Sequence, residues 1–176
     1  MKWATSLALM FVLGFLVLGP QVAAAGVDDL IQIEEQIERD REGIRECHGI
    51  LGEFDTSSFF IRIQVARATG DVEMVIHELA VAENANLAFE DCLVDAASHL
   101  IKTEKKYLAI KEEVLRDALQ QHDIALVLSI LKIEEEISLA KAELAQAWLR
   151  SSMFEEKLTL EKKKLFLSYL EGVEVK

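Results

Sequence analysis

The stretch that decides the fold is VLRDALQQHDIALVLSILKI, residues 114–133. Between Gly70 and Gly172 the chain has neither glycine nor proline, about a hundred residues without a helix breaker. Read as one helix, that length would run to roughly 150 Å at ~1.5 Å per residue. The apolar phase changes inside the quoted stretch. Upstream the apolar seam runs Val72, Val75, Leu79, Ala82, Asn86, Phe89, Leu93, Ala96, Leu100, Thr103, Tyr107, Ile110 and Val114, in steps of three and four. Downstream it restarts at Leu126 and continues through Ile130, Ile133, Ile137, Ala140, Leu144, Ala147, Ser151, Phe154, Leu158 and Leu165. The two phases do not match across Gln120-Gln121-His122-Asp123, so a tight turn belongs there, with Asp123 as N-cap of the next helix.

Working outward, the N-terminal arm shows the same spacing in Leu30, Ile33, Ile37, Asp40, Ile44, Cys47 and Leu51. Gly49 and Gly52 interrupt it, and it resumes through Phe59, Ile63 and Ala66 to Gly70. Phe59 to Val65 also alternates with period two, but a lone strand has no partner for its backbone groups, so residues 55–69 read as helix. The expected fold is all-α: an elongated up-down-up bundle of three long arms, about 27–69, 71–121 and 123–171, the first kinked near Gly52, with coiled-coil-like seams. Gly172 is expected to cap the last helix and residues 172–176 to fray. Residues 26–171 then form one domain. Trp148 reads as core.

Residues 1–25 read as a signal peptide: Lys2 gives a basic start, Leu7 to Gly19 an apolar run, Pro20 a helix break, and Ala23-Ala24-Ala25 a small-residue cleavage site. The rival reading is an N-terminal membrane anchor over Trp3 to Ala25. Either way the rest of the chain is expected outside the reducing cytoplasm, in a periplasm or the extracellular space. The full chain has 19 basic and 31 acidic residues, a net charge of −12; without residues 1–25, which hold only Lys2, the balance is 18 against 31, or −13. Such a field repels phosphate backbones and anionic lipid heads, which argues against nucleic acid and direct membrane-surface partners.

The two cysteines measure the first hairpin. Cys47 lies 23 residues before Gly70 and Cys92 lies 22 after it, so a hairpin turning at Gly70 brings them to one level. In an oxidising compartment that predicts a disulfide, clamping the first arm onto the second.

Chemistry is sparse. None of His48, His77, His99 and His122 has a glutamate three residues before it, as a carboxylate-bridged metal bundle needs. Cys47-His48 lacks the upstream cysteine of a haem-attachment motif, and no cofactor motif occurs. Cys92, Asp95 and His99 share one helical face, and with Cys47 and His48 at their level they are weak metal candidates; a disulfide flanked by surface residues is the plainer reading. The expectation is a non-enzymatic exported protein acting by protein contact, as scaffold, adaptor or envelope subunit, with self-association among the options. The alternatives are a carrier of an apolar small molecule or lipid in the bundle core, and a holdase-like chaperone whose apolar arms grip unfolded clients, which exposed seam residues at the arm tips such as Phe59 and Phe60 would favour.

Overall fold

A computed structural model of the chain describes the backbone of residues 4–174 and the side chains of residues 26–52 and 54–170. Four helices follow one another: α1 (Ala4–Glu53), α2 (Thr56–Thr69), α3 (Val72–Gln121) and α4 (Ile124–Glu174). Among the described residues there is no strand, so Phe59 to Val65 is helical and the fold is an all-α bundle. No helix among the described residues is long and apolar enough to cross a membrane. The signal-peptide boundary after Ala25 lies outside the described side chains, although the backbone of α1 is helical through Pro20, where the sequence suggests a break.

Each connection has a local cause. The interruption expected near Gly52 falls two residues later, at Phe54-Asp55, and the glycines do not make it: Gly49 and Gly52 both sit inside α1. Asp55 does, because its carboxylate accepts the backbone N–H groups of Ser57 (3.1 Å) and Ser58 (3.0 Å) and so starts a new helix. The Ser58 hydroxyl and N–H hold that carboxyl below its usual pKa. The next two turns share one design, a left-handed residue followed by a capping aspartate. Gly70 (φ 72°) ends α2, and Asp71 N–H reaches back to Ala66 O at 2.8 Å while its carboxylate accepts Met74 N–H. His122 (φ 57°) ends α3, Asp123 N–H reaches Ala118 O at 2.9 Å, and the Asp123 carboxylate accepts Leu126 N–H, as the sequence anticipates. Gly172 caps nothing: α4 runs on to Glu174, and the last two residues lie outside those described.

The helices divide into two compact units. Unit 1 comprises residues 1–39 and 100–139, and unit 2 residues 40–99 and 140–176. In unit 1, Leu30, Ile33 and Ile37 of α1, Tyr107 and Val114 of α3, and Ile130, Ile133 and Ile137 of α4 form one buried cluster. Tyr107 donates its hydroxyl to Ile130 O, and burial pushes its pKa up. In unit 2, two clusters occur. Phe59, Ile63 and Ala66 pack with Val75, Leu79, Ala82, Phe154 and Leu158, while Ile44 and Cys47 pack with Phe89, Leu93, Ala96 and Ala147. Burying each large aliphatic side chain contributes about 1.5–3 kcal/mol, which is what holds helices of marginal intrinsic stability in place.

The apolar seams therefore occupy the core almost residue for residue. Leu51, Ile110, Leu126, Leu144 and Leu165 are half-buried against it and Val72, in the first turn of α3, is exposed; Trp148, outside the seam, is 37% exposed rather than core.

Candidate functional site: a groove beside the helix break

Cys47 and Cys92 lie at disulfide distance, with sulfurs 2.01 Å and Cα atoms 5.7 Å apart, linking α1 to α3 inside unit 2. A disulfide sulfur is no metal ligand, which removes Cys92 from the metal set. Asp95 and His99 are on the exposed side of α3, and His48 is half-buried on α1. Among the described residues no group of three or more His, Cys, Asp or Glu side chains could hold a metal ion. The His48 ring packs 6.0 Å from that of Phe89, three residues before Cys92 on α3.

Above the disulfide a buried polar node links α3 to α4. Asn86 Nδ2 donates to Glu90 Oε1 at 3.0 Å, and Ser151 Oγ donates to the same carboxylate oxygen at 2.6 Å and lies 3.2 Å from Asn86 Oδ1. Asn86 and Ser151 interrupt the apolar seams at one level, so they satisfy each other only in one register, as polar seam residues do in coiled coils.

Next to these elements the α1–α2 break opens a groove of about 520 Å³. Its floor is apolar: Leu51, Phe60, Met153 and Phe154. Phe154 belongs to an aromatic cluster in which Phe54, Phe59 and Phe60 meet edge-on or tilted, with centroids 4.8–6.3 Å apart. Its rim carries His48, Arg150 and Lys157, with the hydroxyl residues Thr56 and Ser57 at the start of α2, and no acid among the described lining residues. Arg150 Nη1 lies 3.3 Å from His48 Nδ1, and Lys157 Nζ stands 6.0 Å from the centre of the Phe60 ring. Burial first, then the Arg150 charge, lowers the His48 pKa against the opposing pull of Glu143. A cavity of unit 1 differs in kind: about 200 Å³, bordered by Asp29, Glu113, Asp117 and Asp123.

Sequence reading named His48 but for the wrong neighbours, and it missed Arg150, Lys157, Thr56, Ser57 and Phe60 as a group. One signal was present. Arg150 and Lys157 stand seven residues apart on one face of α4 in a strongly acidic chain. What they face depends on where α1 stops, and Asp55 decides that. Phe59 and Phe60 are not exposed tips: Phe59 is fully buried and Phe60 half-buried.

Unit 2 has a second surface of note on α4. Leu149, Met153, Leu160, Leu167 and Leu170 are 44–60% exposed and, with Glu156 and Lys163, follow the 4-3-4-3 spacing of a heptad seam. They run along the opposite side of the helix from the buried Phe154, Leu158 and Glu161. The chain matches no protein-family model, no curated protein and no solved structure.

Proposed function

We propose that this is an exported, non-catalytic protein that works by holding another protein's helix against the outer face of α4. The observation that carries the reading is that face's second heptad seam: Leu149, Met153, Glu156, Leu160, Lys163, Leu167 and Leu170. A row of large apolar side chains in steps of four and three over three heptads presents knobs that fit the holes of another helix and little else. Among the described residues of unit 2 nothing covers it, and the core of that unit uses the other side of α4. Glu156 and Lys163 give the row polarity. The partner that fits brings a cation to the level of Glu156 and an anion to the level of Lys163. A second copy of this chain running antiparallel does so, since it places Lys163 of the copy within about one turn, ~5 Å along the axis, of Glu156. A parallel copy sets like charge against like.

Export is supported by the N-terminal signal pattern and by a disulfide of the kind that persists in oxidising compartments. Protein recovered outside the cytoplasm should begin at Gly26, which N-terminal sequencing checks.

The contact reading is tested with two synthetic 21-residue amphipathic helices, leucine at every seam position except two. One carries lysine and glutamate at the levels facing Glu156 and Lys163; in the other these are exchanged. The matched peptide should bind at least tenfold tighter, and a Leu160→Glu, Leu167→Glu variant with unchanged circular dichroism should bind neither. Equal affinity for both peptides, or binding that survives the double variant, overturns the reading. Sedimentation of the protein alone identifies the second copy as occupant if it shows a dimer that the double variant abolishes.

A further inference from the structure

In the groove beside the α1–α2 break, cations and aromatic rings meet with no carboxylate among the described lining residues. That is unusual in a chain with 31 acidic residues. Arg39, Arg41, Arg45, Arg62 and Arg67 each reach a glutamate within 4 Å. Arg150 instead packs 3.3 Å from an imidazole nitrogen of His48. The lowered pKa of His48 leaves that ring neutral near pH 7, so it accepts from the guanidinium without neutralising it. Lys157, two turns further along α4, has the Phe60 ring below it. Two side chains long enough to converge over a depression therefore offer their charges above Leu51, Phe60 and Phe154.

We infer that this groove binds a small amphiphilic anion, its carboxylate or similar oxyanion head held between Arg150 and Lys157 and its apolar body laid on Phe60 and Phe154. The head gains charge-assisted hydrogen bonds from donors that share the groove with no carboxylate among its described lining residues. The body covers apolar floor that water now touches. A volume of about 520 Å³ is within the range of sites that take small organic ligands. The site meets the helix-docking face only at Met153, which borders both; Arg150, Lys157, Phe60 and Phe154 are not part of that face, so different residues test the two readings.

Calorimetric titration of the full mature chain with decanoate, 1-decanol and acetate separates head from body. Decanoate should bind with one site per chain, 1-decanol at least tenfold more weakly, and acetate below detection. An Arg150→Gln, Lys157→Gln variant with an unchanged helical spectrum should lose at least tenfold for decanoate and nothing for 1-decanol. A second readout follows from His48: an anion bound beside it favours the protonated ring, so proton NMR should show its pKa rising when decanoate is saturating and staying put with 1-decanol. Because that readout needs only the wild-type chain, a variant that misfolds leaves the test intact. Equal affinity for decanoate and 1-decanol, several equivalent sites, an unaffected double variant, or an unmoved His48 pKa each overturns the inference.

Discussion

Units 1 and 2 are built from the same three-and-four seam, yet they differ in how often that seam is interrupted. In unit 1 the seam is aliphatic from Leu30 to Ile137, with Tyr107 and the buried Thr103 as its polar members, and ion pairs such as Glu34–Lys132 lie outside it. In unit 2 the seam is interrupted repeatedly: by Asp40, by the Cys47–Cys92 link, by the Asn86–Glu90–Ser151 node, by the α1–α2 break, and by the buried Glu78 and Glu161. A regular seam can slide by a heptad and still bury its leucines, whereas an interrupted one fits a single register. The interruptions also leave the space and the side chains from which the groove is made. The groove and the register specification thus come from the same departures from regularity.

The strongest way to break this contrast is to remove an aromatic side chain at the break. Phe59→Ala should cost about 3–5 kcal/mol, as fully buried phenylalanines do, because it opens a void among Phe54, Phe60 and Phe154. Chemical denaturation followed by hydrogen exchange should show unit 2 opening first. Uniform loosening of both units would mean that they are one cooperative body and that the contrast has no thermodynamic content.

Removing the crosslink is next. A Cys47→Ser, Cys92→Ser variant should lose about 3–4 kcal/mol in the chain-entropy model for a loop of 45 residues. Amide exchange should quicken over residues 40–69 while residues 100–139 keep their protection, and most of the helical circular dichroism should remain. Loss of protection across residues 100–139 would show that the disulfide is a global strut rather than a clamp on one arm. Below that in size is the polar node. Ser151→Ala removes the hydroxyl that joins Asn86 to Glu90, for about 1–3 kcal/mol where a buried group loses its partner. Thermal unfolding measures it, and a neutral result would mean that water replaces the hydroxyl.

Most of the core is legible in the sequence because burial on a helix has a period. Cys47, Asp40, Asn86 and Ser151 were placed in the seam by spacing alone, against their polarity or chemistry, and all are buried. Counting from Gly70 was enough to pair the cysteines, since a hairpin converts sequence distance into level. The failures share a cause, too. Gly49 and Gly52 looked like the break because glycine lowers helix propensity, but a glycine only permits a break and Asp55, by capping, makes one. Trp148 looked like core by its type, and its phase on α4 already lay one residue past the seam residue Ala147. The groove was illegible because its rim comes from α1, α2 and α4, and the position of that rim depends on where the capping falls.

A finer contrast is available between the two turns. Gly70 and His122 occupy the same left-handed position, and only glycine holds it without strain. A methyl at Gly70 would meet no atom within 4 Å, so Gly70→Ala isolates the conformational cost, about 1–2 kcal/mol. His122→Gly should stabilise the other turn by about 1 kcal/mol, through relief of the same strain. Thermal melts of both variants check the pair. Shifts of the same sign would mean that contacts of the His122 side chain, and not backbone strain, set the stability of its turn.

The smallest effect is the dependence on pH, and it separates the units by how their carboxylates are held. In unit 2, burial pushes the Glu161 carboxyl up, but Lys164 and Arg67 outweigh it and the net pKa falls below the usual value; Glu143 is lowered chiefly by its hydrogen bond to Arg41. In unit 1, Glu134 is lowered by Lys111. A carboxylate with a depressed folded-state pKa contributes stability that is fully present above its unfolded pKa, near 4.5, and is lost as pH falls through the folded value. All three pairs therefore weaken on acidification, but only Glu161 has a carboxylate as little as 10% exposed, so solvent screens its pair least. Unit 2 should lose stability between pH 5 and pH 3 more steeply than unit 1, by an amount on the order of 1 kcal/mol. Denaturation of the wild type and of Glu161→Gln across that range should give a gap that is widest above pH 5 and closes at low pH, where the wild-type carboxyl is itself neutral. A gap that stays constant with pH would assign the cost of the substitution to packing around residue 161 and not to its charge.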